Sequence, residues 1–143
     1  MAMTETMPQG TTTPVLSSIT HVALTVGDID RSIAWYTALV GSGPVLDEDT
    51  GPFRHAVFAV GGTLLGLHSF PDGIDERPFS PRRRGLDHVA FACEDHSELV
   101  AWARRLTDMG VPHGQIVDAH YGSALSFTDP DGLPLELFCP PET

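Results

Sequence analysis

The chain has 143 residues, 41% of them hydrophobic, and sets eight Lys plus Arg against nineteen Asp plus Glu for a net charge of −11. That length supports one core, and that charge repels nucleic acid and anionic membrane surfaces, which argues against both as partners. No run approaches the roughly 20 apolar residues that span a bilayer, and the two cysteines, Cys93 and Cys139, stand alone without CxxC spacing, so a reduced cytoplasm fits best.

The opening residues 1–17 are polar, rich in Thr and Pro, and lack the basic start and apolar centre of a signal peptide; they read as a disordered tail ahead of a single domain, 18–143. The first strand, "ITHVALTV", alternates, with Val22, Leu24 and Val26 on one face and His21, Ala23 and Thr25 on the other. A helix follows over "DIDRSIAWYTALVG", opening on acidic residues and closing on Gly41. Three further strands, "PVLDED", "PFRHAVFAV" and "TLLGLHSF", are separated by Gly51-Pro52 and Gly61-Gly62. The run "PDGIDERPFSPRRRG", 71–85, is a linker of turn-forming and charged residues whose arginines read as solvated. Beyond it the order repeats: a strand carrying His88, a helix closing on Gly110, then strands "HGQIVDA", "GSALSFTD" and "LPLELF".

The repetition is residue by residue. Shifted by 67, His21-Val22-Ala23 falls on His88-Val89-Ala90 and Ala34-Trp35 on Ala101-Trp102, while "LGLHSF" lines up with "LPLELF" at a shift of 68, which makes His68 the counterpart of Glu136. The fold class is therefore α+β: two tandem βαβββ modules, 19–70 and 86–140, whose mixed sheets form a cup around a central cavity. The matched Trp35 and Trp102 read as core packing, and Cys93, sharing a face with Val89 and Phe91, as buried and inert.

Side-chain parity selects the chemistry. On each first strand the face away from the helix carries a histidine among small residues, which hollows out a pocket, and on each last strand His68 and Glu136 alternate with the leucines a helix would cover. His21, His68, His88 and Glu136 are thus expected to converge. Three imidazoles and a carboxylate suit a divalent transition metal, with Fe, Ni, Co, Mn and Zn all open. If His68 binds metal, two adjacent open positions favour enolate or oxyanion stabilisation, with Glu136 and His68 acting in catalysis; if His68 stands off, His21, His88 and Glu136 make the two-histidine, one-carboxylate set that suits Fe(II) and dioxygen. Tyr121, Ser123, Arg54 and His55 are candidate substrate contacts. His96, His113 and His120 gain no support from the repeat.

The doubled βαβββ unit, the two "HVA" strands and the closing "DPDGLPLELF" resemble the vicinal oxygen chelate superfamily over residues 19 to 140. That superfamily includes glyoxalase I, methylmalonyl-CoA epimerase, extradiol dioxygenases, fosfomycin-modifying enzymes and bleomycin-resistance proteins. The resemblance implies metal ligands on the first and last strands of each module, here His21, His68, His88 and Glu136. It also implies a metal-dependent glyoxalase-like enzyme of lyase or isomerase type acting on a small oxygenated molecule, and homodimers. Two alternatives follow from the same resemblance: an Fe(II) extradiol-type dioxygenase and a non-enzymatic drug-binding protein.

Overall fold

The computed structural model describes residues 12–142. It contains the expected elements in the expected order: β1 (His21–Thr25), α1 (Ile29–Val40), β2 (Leu46–Asp49), β3 (Arg54–Val60), β4 (Thr63–Ser69), β5 (Val89–Ala92), α2 (His96–Asp108), β6 (Val117–Ala119), β7 (Gly122–Thr128) and β8 (Pro134–Cys139). They form two mixed four-stranded sheets, ordered β1-β4-β3-β2 and β5-β8-β7-β6, one per module. Of the expected tail, residues 1–11 lie outside the described residues, and residues 12–17 are exposed and without regular structure. Among the described residues no helix is long and apolar enough to cross a membrane.

Both helices start and stop where their sequences dictate. The Asp28 carboxylate accepts from Arg31 N–H at 3.1 Å and the Asp95 carboxylate from Glu98 N–H at 2.9 Å, satisfying amide groups that a first turn leaves without partners. Gly41 takes the left-handed conformation (φ 90°) that ends α1, and its N–H donates to Thr37 O.

One buried cluster joins the two modules. Leu24, Val26, Leu65 and Leu67 from the first sheet share it with Leu125, Phe127, Leu135 and Leu137 from the second, which confirms the expected alternation. α1 lies on β3 and β4, α2 on β7 and β8, and α1 also reaches the second module: Trp35 packs 6.3 Å from Phe127 between centroids, and the Tyr36 hydroxyl donates to Asp129 Oδ2 at 2.8 Å. Arg105 Nη2 of α2 donates to Ala38 O of α1. The helices therefore sit on the sheet faces that share the core, and each sheet turns its other face outward. His21, Ala23, Thr25, His88, Ala90 and Ala92 are all exposed on those outer faces. Trp35 and Trp102 pack against the core as expected, and Cys93 is buried in it. Burial pushes the Cys93 thiol up to about 11, which keeps it protonated and inert.

Candidate metal centre

The backbone places the candidate ligands in two groups. In the second module, His88 Nε2 lies 3.8 Å from Glu136 Oε2. Bond lengths of about 2.1 Å at angles near 90–110° put two donor atoms about 3.0–3.4 Å apart, so a small rotation of the half-exposed imidazole brings the pair into ligand geometry. His88 Nδ1 donates to Asp87 Oδ1 at 2.8 Å, which fixes the tautomer and leaves Nε2 free to coordinate. His21 repeats the device, its Nδ1 paired with Thr20 Oγ1 at 2.9 Å. Thr20 and Asp87 occupy equivalent places in the repeat, each directly before its histidine.

In the first module, His21 and His68 share the outer face but sit at opposite ends of β1, since His21 pairs with Leu64 and Thr25 with His68. Among the described residues no three His, Cys, Asp or Glu side chains come together as one metal site. The four expected ligands do not come together within one chain, because the two faces that carry them both turn away from the shared core.

The strand register also corrects the expected equivalence of His68 and Glu136. Glu136 lies opposite Ala90, whereas the equivalent Ala23 lies opposite Gly66. The hydrogen bonds agree: Val26 N–H donates to His68 O and its counterpart Cys93 N–H donates to Phe138 O. Gly66 therefore takes the place of Glu136, and His68 the place of Phe138, two residues or about 6.5 Å further along the strand. A slip of two residues keeps side-chain parity, so alternation cannot detect it.

His68 stands instead among aromatic rings. Its imidazole stacks on Phe53 at 5.0 Å and 14°, and His55 approaches edge-on at 5.4 Å. Burial, followed by the neighbouring His55 and His21, holds the His68 pKa below the ordinary imidazole value.

The candidate substrate contacts divide. His55 lies on the outer face, directly across from His68. Tyr121 borders the site, exposed and stacked at 6.4 Å on Phe138, which shares the face of Glu136. Two expectations fail on parity. Arg54 lies in phase with the buried Ala56 and Phe58, and Asp47 and Asp30 hold its guanidinium at 2.9–3.0 Å. Ser123 lies in phase with the buried Leu125 and Phe127, and its hydroxyl donates to Asp118 at 2.6 Å. The serine beside Glu136 is Ser126, its exposed cross-strand partner, which the sequence reading missed by one strand face.

The model of the Glyoxalase/Bleomycin resistance protein/Dioxygenase superfamily matches residues 18–137. The chain belongs to this superfamily. A solved glyoxalase/bleomycin resistance protein/dioxygenase domain from Frankia sp. EAN1pec superposes with a TM-score of 0.81 at 30% identity, covering 90% of this chain and 95% of that one. Among curated relatives, the metallothiol transferase FosB of Staphylococcus saprophyticus is 31% identical, covering 86% of this chain and 77% of its own. A putative ring-cleaving dioxygenase, MhqA of Bacillus subtilis, is 35% identical over 54% of this chain and 24% of its own. The superfamily thus includes metal-dependent enzymes that act on small molecules.

Proposed function

We propose that this superfamily member is a metal-dependent enzyme whose site is completed by two copies of the chain, His21 of one meeting His88 and Glu136 of the other. The outward faces of the two sheets support this, since two copies placed face to face bring a first module against a second. The observation that carries the reading is Gly66. Where the repeat would set a fourth ligand opposite Ala23 there is no side chain, so the donor set is two imidazoles and one carboxylate with open positions beside it. A divalent metal bound there supplies Lewis-acid stabilisation to negative charge developing on a small substrate chelated through two adjacent oxygens.

The chain's own residues do the remaining work. Asp87 holds His88 in the tautomer that frees Nε2. Glu136 compensates charge. Ala23, Thr25, Ala90 and Ala92 keep the floor shallow enough for a substrate to approach. The reaction is of the glyoxalase-like lyase, isomerase or transferase kind. A second reading, ring-cleaving dioxygenation, is favoured by the same three-ligand set and by the likeness to MhqA.

Elemental analysis tests the site. Wild type and His68→Ala should retain metal, whereas His21→Ala, His88→Ala and Glu136→Ala should each lose it. A metal-free wild type would leave the drug-binding alternative, and retention in all three ligand variants would place the metal elsewhere and overturn this site. Oxygen uptake with catechols separates the second reading from the first.

A further inference from the structure

The eight cationic side chains are all arginines, and four of them, Arg77, Arg82, Arg83 and Arg84, crowd into the linker of an otherwise strongly acidic chain. Such a run is expected to be solvated. The linker instead borders a cavity of about 820 Å³ between the modules, which reaches Thr25 of the first and Leu86 of the second. Arg83 and Arg84 line this cavity, and Arg82 does not.

Most of the acids around the cavity are already engaged. Arg77 Nε donates to Asp75 at 2.9 Å. Asp131 Oδ1 accepts from Gly27 N–H at 3.0 Å with Arg31 Nη2 at 3.8 Å, and its Oδ2 is buried. Glu76 alone is left against Arg83 and Arg84. Arg83 is half-buried and gives one hydrogen bond, from Nη2 to Pro78 O. Among the described residues neither Arg83 nor Arg84 has a carboxylate within ion-pair distance. A chain with nineteen acids thus turns two guanidinium groups toward one cavity without pairing them. Their forked donors match the oxygens of a carboxylate or phosphoryl group.

The cavity also adjoins the proposed metal site. Leu86 stands two residues before His88, so at most about 7 Å of backbone separates them, and Leu133, three residues before Glu136, lines the cavity as well.

We infer that Arg83 and Arg84 form an anion subsite for a terminal carboxylate or phosphoryl group of the substrate, whose other end chelates the proposed metal through two adjacent oxygens. The inference rests on that metal site for its anchor.

Three hydroxy acids that share the chelating end test it. 2-Hydroxyhexanoate ends in a methyl group, 2-hydroxyadipate in a carboxylate at the same place, and 4-phosphooxy-2-hydroxybutanoate in a phosphoryl group. Their binding to metal-loaded wild type, Arg82→Gln, Arg83→Gln and Arg84→Gln is measured by calorimetry, with metal content determined on the same samples. The net charge of −11 by itself disfavours the more anionic probes. The subsite predicts the reverse: wild type binds at least one of them about tenfold more tightly than 2-hydroxyhexanoate. Arg83→Gln and Arg84→Gln should each weaken that probe about tenfold and leave 2-hydroxyhexanoate within about twofold, while Arg82→Gln leaves all three within about twofold. Which anionic probe responds tells carboxylate from phosphoryl, and either response supports the subsite. At full metal content, a wild type that binds the three alike or not at all, equal losses for all three, or an equal effect of Arg82→Gln would overturn the subsite alone. A wild type that takes up no metal would overturn the metal site and the subsite together.

Discussion

The two modules share one plan and differ in what they place on it. Each sets a histidine at the start of its first strand, fixes that imidazole through the side chain before it, and buries the same leucine rows. They differ where the last strand passes the small residues of the first: the second module offers the carboxylate of Glu136, the first the bare backbone of Gly66. The first module has a ring cluster instead, with His68 stacked on Phe53. On the proposed reading the two modules are two half-sites, one carrying the charge of Glu136 and the other the bare backbone of Gly66.

The largest expected effect comes from erasing the difference on the charged side. Glu136→Ala removes the one carboxylate of the proposed site and should lower metal affinity at least about 100-fold in a metal titration, more than the 10- to 100-fold typical of disturbing supporting groups. Erasing it on the open side should do the reverse. A Cβ added at Gly66 meets Ala23 Cβ and Val22 O at 3.7 Å, ordinary contact distances. The first side-chain atom of Gly66→Glu is therefore accommodated, and the variant offers the proposed site a second carboxylate; it should bind metal more tightly while turnover falls, because an open position is filled. Unchanged affinity and turnover would show that Gly66 does not face the metal.

Next in size is the seam between modules. Asp129 is buried and accepts from the Tyr36 hydroxyl and from the Leu133 and Asp131 amides at 2.8–2.9 Å. Burial raises its pKa, and these hydrogen bonds pull it back. Tyr36→Phe leaves a buried carboxylate oxygen short of a donor and should cost about 1–3 kcal/mol in denaturant unfolding. The smallest effect is the pH response of His68. Its folded pKa lies below the ordinary 6.5, so its contribution to stability is complete above that value and is lost as pH falls below it toward the folded pKa. His68→Gln should flatten the decline in melting temperature as pH falls below about 6.5; an identical decline would remove His68 as its source.

Much of this was legible in the sequence. The repeat, the alternation of leucines with His21, His88 and Glu136, and the glycine that ends each helix pointed to the right fold, because burial enforces a period of two in strands and helix ends need particular residues. The two-residue slip of His68 was not legible, because a slip by the period leaves every residue on its face. Arg54 and Ser123 were misread for a related reason. A polar residue at the end of a strand can sit on the core side when acids such as Asp47 or Asp118 meet it there, and those partners come from neighbouring strands. The Tyr36–Asp129 bond joins residues 93 positions apart, and in sequence Asp129 looks like part of a turn.

Complementation between inactive variants tests the shared site most directly. His21→Ala and Glu136→Ala proteins should each fail to hold metal, yet a mixed dimer unites His21 of the Glu136→Ala chain with His88 and Glu136 of the His21→Ala chain. Unfolding the two together and refolding them should restore roughly a quarter of wild-type metal content, since random pairing makes half the dimers mixed and each mixed dimer has one intact site of two. No recovery from a refolded mixture that forms dimers would contradict a site built from two copies and return the ligands to a single chain.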